Sequence, residues 1–517
     1  MANKTLFRSL IGALVPKADA INEAGGPAYS LSPEQALAQF ASTGCLNTTF
    51  YATDAEQLDR VMTLAERVSA EFVAKTAVYC RERGYMKDVP ALLLAVLSRR
   101  APALLDRVFD RVVDSPRMLR TFVQIVRSGA TGRKSLGSAP KRCVRRWLDQ
   151  RTDAAIFAAS VGNDPSLVDV VRMVHPKPTT PVREALYGYL LGRPVSTDRL
   201  PTIVREFEAF KAGDRMSVPD VPFQMLTSLD LDTAAWCEIA RRASWQATRM
   251  NLNTFARHGV FKTRELIDVI AARLRDESEI RRARVFPYQL LAAFRSVDDA
   301  VPSEVRRALE DAMESAIANV PAIDGQVYVC PDVSGSMDSP VTGVRVGATT
   351  AMRCVDVAAL VSAAVLCRNP TTEVLPFEQS VVSLRLSPRD SVITNAERLA
   401  SVCGGGTCVS APLALLNARK ATGDLVIVVS DNESWVDGSA GRGTATMREW
   451  NVFRERNPRA RLALIDLQPY RTTQASERSD ILNVGGFSDH VFSVLAAFAK
   501  GELNADGWVG QIDAIAV

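Results

Sequence analysis

Gln326-Val327-Tyr328-Val329-Cys330-Pro331-Asp332-Val333-Ser334-Gly335-Ser336-Met337 is the stretch on which the chain divides. Val327 to Cys330 is a short apolar, β-prone run and predicts a buried strand. Asp332, Ser334 and Ser336 then fall two residues apart, and Gly335 loosens the backbone between them. At a strand's exit such spacing can turn three oxygen-bearing side chains toward one point. One carboxylate and two hydroxyls are hard donors that suit Mg²⁺ or another hard divalent ion. Read alone, the same residues fit a Ser/Gly turn equally well.

Two later stretches tip the balance toward a metal. Gly404-Gly405-Gly406-Thr407 adds a hydroxyl on a flexible loop. Leu425-Val426-Ile427-Val428-Val429 predicts a second buried strand, which runs into Ser430-Asp431-Asn432-Glu433. A second carboxylate, Asp431, thus stands at a strand's C-terminal end, where ligands bind in parallel α/β sheets. In this order the three pieces resemble the metal-ion-dependent adhesion site of a von Willebrand factor A domain. The resemblance implies Asp332, Ser334, Ser336, Thr407 and Asp431 as the ligands of one divalent cation, Mg²⁺.

The rest of the chain is long enough for several cores: 517 residues, 47% of them hydrophobic and 23% charged, is an ordinary globular composition. No run of 18 apolar residues occurs, so no membrane span is expected. The opening residues are interrupted by Arg8 and Ser9 and do not read as a secretory signal. Nine scattered cysteines, an odd number at low density, point to reduced thiols in a cytoplasm. Cys403 and Cys408 flank the glycine loop without a second pair or a nearby His, so they are expected to be buried thiols rather than zinc ligands. The net charge of +4 is uneven: basic residues dominate up to residue 325 and acidic ones beyond it. A polyanion therefore belongs with the amino-terminal part.

Up to residue 325 the pattern is helical nearly throughout. Ser115-Pro116 reads as an N-cap followed by proline at the first helical position, Met118, Phe122, Ile125 and Val126 as the buried stripe, and Gly129 as the stop. Comparable segments at 154–159, 165–174, 182–191, 202–211, 233–243, 263–274 and 303–318 suggest an α-solenoid. From Gln326 strands and helices alternate, which predicts a doubly wound sheet. Its elements include a helix over 349–367, strands at 373–376 and 381–386, and a last helix over 491–500. The tail after Leu503 is uninformative.

Three stretches could meet a polyanion. Gly132 to Trp147 holds six basic residues and no acid. Arg133 and Lys134 lie on a Gly/Ser loop, while Lys141, Arg142, Arg145 and Arg146 form one stripe of a helix, opposite Val144 and Trp147. A solvated helix face and a phosphate-binding one are equally compatible with it. Trp245 to Lys262 interleaves aromatics with Arg249, Asn251, Arg257 and His258, a mixture suited to unstacked bases. There the aromatics are better read as core, with the arginines and asparagines as the exposed part. His175 and Lys177, in His175-Pro176-Lys177-Pro178, are the third candidate.

Taken in order, these stretches resemble the Ro autoantigen family, in which a TROVE module precedes an A-type domain. The carriers are Thr43-Gly44-Cys45 with Tyr51, Arg133 through Trp147, Val174-His175-Pro176-Lys177-Pro178, Thr248-Arg249-Met250-Asn251-Leu252 and Phe286-Pro287-Tyr288-Gln289-Leu290. They continue with Asp332–Met337, Gly405-Gly406-Thr407, Ser430-Asp431-Asn432-Glu433 and Gly485-Gly486-Phe487. The family implies a multidomain chain. Residues 1–325 would be an all-α, HEAT-like helical-repeat ring that binds RNA, and residues 326–517 an α/β doubly wound, von Willebrand factor A-like domain. It implies small noncoding Y-type RNA on the ring's outer face and the single-stranded 3′ end of misfolded RNA through its hole. For bacterial members it implies an exoribonuclease such as polynucleotide phosphorylase as partner. Animal members carry basic residues on the helix before the motif histidine. Here 154–163 has none, which shifts the expected contacts to 133–146.

The expected function is RNA binding for quality control, without catalysis, by a cytoplasmic monomer. The competing reading is a Mg²⁺-dependent protein-binding scaffold with no direct RNA role, whose cation accepts a partner's carboxylate. A metal nuclease ranks third, because two-metal hydrolysis uses several carboxylates to hold ions about 3.5–4 Å apart and this set has two. No P-loop or G-x-G-x-x-G follows a strand, which argues against nucleotide-driven chemistry.

Overall fold

A computed structural model describes residues 15–44, 46–162, 165–214, 217–227, 229–283, 287–317, 320, 322–344, 352–436, 443–468, 470–486, 490–503 and 507–517. The expectations that fall on the opening residues, Cys45, Asn163, Phe286, 349–351 and Phe487 lie outside the described residues.

Two short strands come first, β1 (Ala20–Ile21) and β2 (Pro27–Ser30). Helices follow: α1 (Pro33–Thr43), α2 (Asp54–Arg67), α3 (Ala70–Glu82), α4 (Asp88–Arg100), α5 (Pro102–Val112), α6 (Pro116–Ser128) and α7 (Ser138–Asp149). Next are α8 (Asp153–Ala158), α9 (Leu167–Val174), α10 (Pro181–Leu190), α11 (Thr202–Lys211), α12 (Thr233–Arg242), α13 (Trp245–Met250) and α14 (Leu252–Arg257). The run ends with α15 (Arg264–Arg275), α16 (Glu277–Ala283), α17 (Pro287–Ser296) and α18 (Ser303–Ile317).

Many of the starts are written locally. Ser32, Thr53, Ser69, Ser115, Thr152, Ser166 and Thr180 each accept a hydrogen bond from the backbone N–H three residues on. Each cap satisfies a donor the helix would otherwise leave free. As expected, Ser115 opens α6 and Gly129, at φ 88°, closes it in the left-handed region. Met118, Phe122 and Val126 bury its stripe, and Ile125 is half-buried.

The α/β part holds β3 (Val327–Pro331), β4 (Glu373–Val374), β5 (Leu425–Ser430), β6 (Arg461–Asp466), β7 (Thr472–Thr473) and β8 (Ile481–Gly485). Its helices are α19 (Cys354–Arg368), α20 (Val392–Ala400), α21 (Ala411–Ala418), α22 (Ala445–Arg456), α23 (His490–Lys500) and α24 (Gly507–Asp513). Strands in the order β4-β3-β5-β6-β8 make a five-stranded sheet whose pairs are all parallel. Strand side chains alternate between faces. Val327, Val329 and Ile427 pack with α19, α20 and α23, while Tyr328, Cys330 and Val428 pack with α21 and α22.

Two expectations need correction. Residues 381–386 are not a strand; Val381 makes an isolated bridge to Phe377. The segment is held by its side chains instead: Val382, Leu384 and Leu386 pack on one core and Val381 on the other. The tail after Leu503, silent in sequence, forms α24, where Trp508 is buried and its Nε1 donates to the Tyr79 hydroxyl at 2.8 Å.

Packing between elements closes the helical run into a ring seated on the α/β domain. Early helices rest on it through α1 against β8 and through α24 against α1 and α3. The far end returns through α17 against α19, with Arg295 Nη1 at 3.0 Å from Asp356. The amino-terminal strands also cross the expected division at residue 325: β1, β2 and β7 form one antiparallel sheet, with Tyr29 opposite Thr473. Among the described residues no helix is long and apolar enough to cross a membrane.

Candidate metal centre and nucleic-acid interface

Pairing of β3 with β5 brings the two acidic loops side by side, since both strands end at the same edge. Asp332 Oδ1 accepts the Ser334 N–H at 2.8 Å, and Asp332 Oδ2 accepts the Ser430 hydroxyl at 2.6 Å. Ser334 Oγ and Ser336 Oγ are 3.3 Å apart, and Asp431 Oδ1 accepts the Glu433 N–H at 3.3 Å. The glycine loop is tied in where Gly335 N–H donates to the Gly405 carbonyl at 3.0 Å. The Thr407 carbonyl accepts the N–H of Trp435, just past Asp431, at 3.2 Å. All five expected ligands are therefore drawn to one place, and none is more than 6% exposed.

Burial raises the pKa of Asp332, and the nearby Asp431 raises it further; burial also raises that of Asp431. Asp431 Oδ2 is buried without a hydrogen-bond partner. Two juxtaposed hydroxyls, two carboxylates held against their ionised preference and one orphaned oxygen fit a hard divalent cation, which would neutralise the pair. Among the described residues no group of three or more His, Cys, Asp or Glu is placed to hold a metal, so this set relies on hydroxyls. Sequence reasoning missed two neighbours. Burial, together with Asp431, pushes Glu433 up to about 8. Buried Asp466 is raised by burial first and by Asp431 and Glu433 next. Asp466 ends β6, beside β5, so the strand order reveals it where a motif could not.

The thiols around the site are reduced. The eight described cysteines are free, and Cys403 and Cys408 are half-buried rather than buried. Cys403 Sγ lies 3.3 Å from the Ser334 carbonyl.

The basic stretches fare differently. On α7, Arg142 and Arg146 have acid partners from α5: Arg146 meets Asp106 at 2.9 Å and Asp110 at 2.7 Å, and Arg142 meets Asp106 at 3.4 Å. The charge run is acid-free in sequence but not in space. Among the described residues Arg133, Lys134, Lys141 and Arg145 have no carboxylate partner. Arg145 Nε donates to the Val174 carbonyl at 2.5 Å, which joins this stripe to the third candidate. His175 ends α9 at φ 51°, exposed, on the wall of a cavity of about 450 Å³ that Arg172, Arg193 and the acid Glu184 also line. Lys177 is exposed beside it.

The second candidate does not present the surface expected. Trp245, Leu252 and Phe255 are core, as read. Arg249 is not outward: its Nη1 donates to the Gln289 carbonyl at 2.8 Å, and burial pushes its pKa down to about 10. Asn251 Nδ2 donates to the Ala247 carbonyl at 2.7 Å. Arg257 and His258 are exposed, but His258 lies flat on Trp236 with ring centroids 4.2 Å apart.

A helical ring carried by a parallel α/β domain with an Asp-Ser-Ser-Thr-Asp cluster at the sheet's edge defines a two-part class, a TROVE-type module joined to a von Willebrand factor A-type domain. Residues 163–324 match the TROVE domain, and residues 326–499 match the Ro60 vWA domain. The chain thus carries matches to both domain types, in that order. It is 26% identical over 517 residues to the RNA-binding protein RO60 of Deinococcus radiodurans, an alignment covering 93% of this chain and 95% of that protein. The crystal structure of the Deinococcus radiodurans RO (RSR) protein superposes with a TM-score of 0.59 at 21% identity, covering 91% of this chain and 100% of that one.

Proposed function

We propose that this chain is a non-catalytic RNA-binding protein that holds small noncoding Y-type RNA and the single-stranded ends of misfolded RNA for quality control. The observation that carries the reading is the merging of two sequence candidates into one surface. Lys141 and Arg145 on α7, with Arg133 and Lys134 on the loop before it, run on to His175, Lys177 and Arg193, while Arg172 beside them pairs with Asp169 at 3.8 Å. Cations without acid partners on a rigid helix are free to meet phosphates. The relative named an RNA-binding protein supports the same reading. Asp332, Ser334, Ser336, Thr407 and Asp431 would hold one Mg²⁺, and the α/β domain would recruit an exoribonuclease such as polynucleotide phosphorylase. Free thiols fit a monomer working in a reducing cytoplasm.

The test is RNA affinity against salt. Each single-strand phosphate neutralised adds about −0.7 to the slope of log affinity on log salt. Replacing Arg133, Lys134, Lys141 and Arg145 together by Gln should flatten that slope for a structured small RNA. An unchanged slope and affinity would put the interface elsewhere.

A further inference from the structure

The metal loops are covered by a piece of the helical module. Residues 47–52, between α1 and α2, cross this face of the α/β domain. Asn47 Nδ2 donates to the Thr342 carbonyl at 2.8 Å, and the Val344 N–H donates to the Thr48 carbonyl at 2.8 Å. These contacts fix the arm beside the chain that leaves Ser336. The arm then turns Tyr51 inward. Its ring meets Tyr470 edge-on, centroids 5.4 Å apart, and its phenol lies close to Ser336. Burial chiefly raises the pKa of the Tyr51 phenol, and the charges of Asp431, Glu433 and Asp332 raise it further, so the side chain is within electrostatic reach of both carboxylates of the metal set. Phe50, its neighbour, stays 57% exposed.

Ring packing alone would not require a hydroxyl there; a phenylalanine would meet Tyr470 equally well. A phenol oxygen is a hard donor and a hydrogen-bond partner for metal-bound water, and the ligands beneath it are almost wholly buried. We propose that Tyr51 is a positioning residue of the metal centre. Its hydroxyl would hydrogen-bond the water carried by a bound ion, so that the ion fastens the 47–52 arm across the α/β domain. A carboxylate from outside then reaches the ion only by displacing this arm. The inference rests on the metal-site reading given above.

Mn²⁺ is the probe, with free ion counted by its electron paramagnetic resonance signal and the arm followed by chymotrypsin cleavage at Phe50 and Tyr51. In the full-length chain Mn²⁺ should bind and slow that cleavage. Tyr51→Phe keeps the ring and remains a chymotrypsin site. It should weaken Mn²⁺ binding about tenfold, the lower end of what loss of an outer partner costs a metal site, and Mn²⁺ should no longer shield the arm. Asp332→Ala should abolish both effects. If Tyr51→Phe binds Mn²⁺ like the parent and is shielded equally, the inference is wrong and the metal site stands. If the parent chain binds no Mn²⁺, the metal-site reading fails and takes the inference with it.

Discussion

Arg145 and Arg146 are adjacent, yet the helix turns them to different neighbours. Arg146 reaches back to Asp106 and Asp110, whereas Arg145 donates to a carbonyl and keeps its charge uncompensated. Arg146→Ala is expected to lower stability by about 1 kcal/mol, as for a partly exposed ion-pair network, with little change in RNA affinity. Arg145→Ala is expected to leave the melting temperature near the parent's and to reduce the salt slope by about 0.7. Chemical denaturation and RNA titration on the same two variants check both. The charge run itself was legible at this scale. Its acid partners were not, because they arrive from a helix 36 residues upstream and no local pattern announces a tertiary ion pair. Arg249 shows the converse: among aromatics read as core, the arginine reads as surface until the carbonyl of Gln289 is placed against it.

At the scale of elements, caps and stripes made the helices readable, and the strand runs made the parallel sheet readable. What escaped was structure held by partners remote in sequence. The strap at 381–386 alternates like a strand but lies along the sheet without a ladder. Helix α24 has no strong pattern of its own and exists as packing against α1, α3 and β8. Trp508 anchors it, buried to 2% exposure and hydrogen-bonded to Tyr79. Trp508→Ala should cost about 3–5 kcal/mol, the usual range for a large buried aromatic. Loss of amide protection in α3 as well as α24, measured by hydrogen exchange, would show that the tail supports the ring; loss confined to α24 would show that it does not.

For the whole molecule the contact between ring and α/β domain carries a pH dependence. Glu477, between β7 and β8, accepts a hydrogen bond from Gln35 Nε2 of α1. Burial, the leading cause, raises its pKa from the ordinary 4.5 to about 7. The folded chain thus holds this proton more tightly than the unfolded one. The resulting stabilisation is complete below about 4.5 and is lost as pH rises through about 7. Glu477→Gln should flatten the fall in melting temperature between pH 5 and pH 8. A parallel fall in both proteins would assign that dependence to other groups.

The latch between Trp508 and Tyr79 joins residues 429 positions apart. On a ribosome adding roughly 5–20 residues per second, the last turn emerges some 20–90 s after the helix it grips. Through that interval α1 and α3 lack the packing that α24 supplies, so helices made among the first are among the last to receive their full cover.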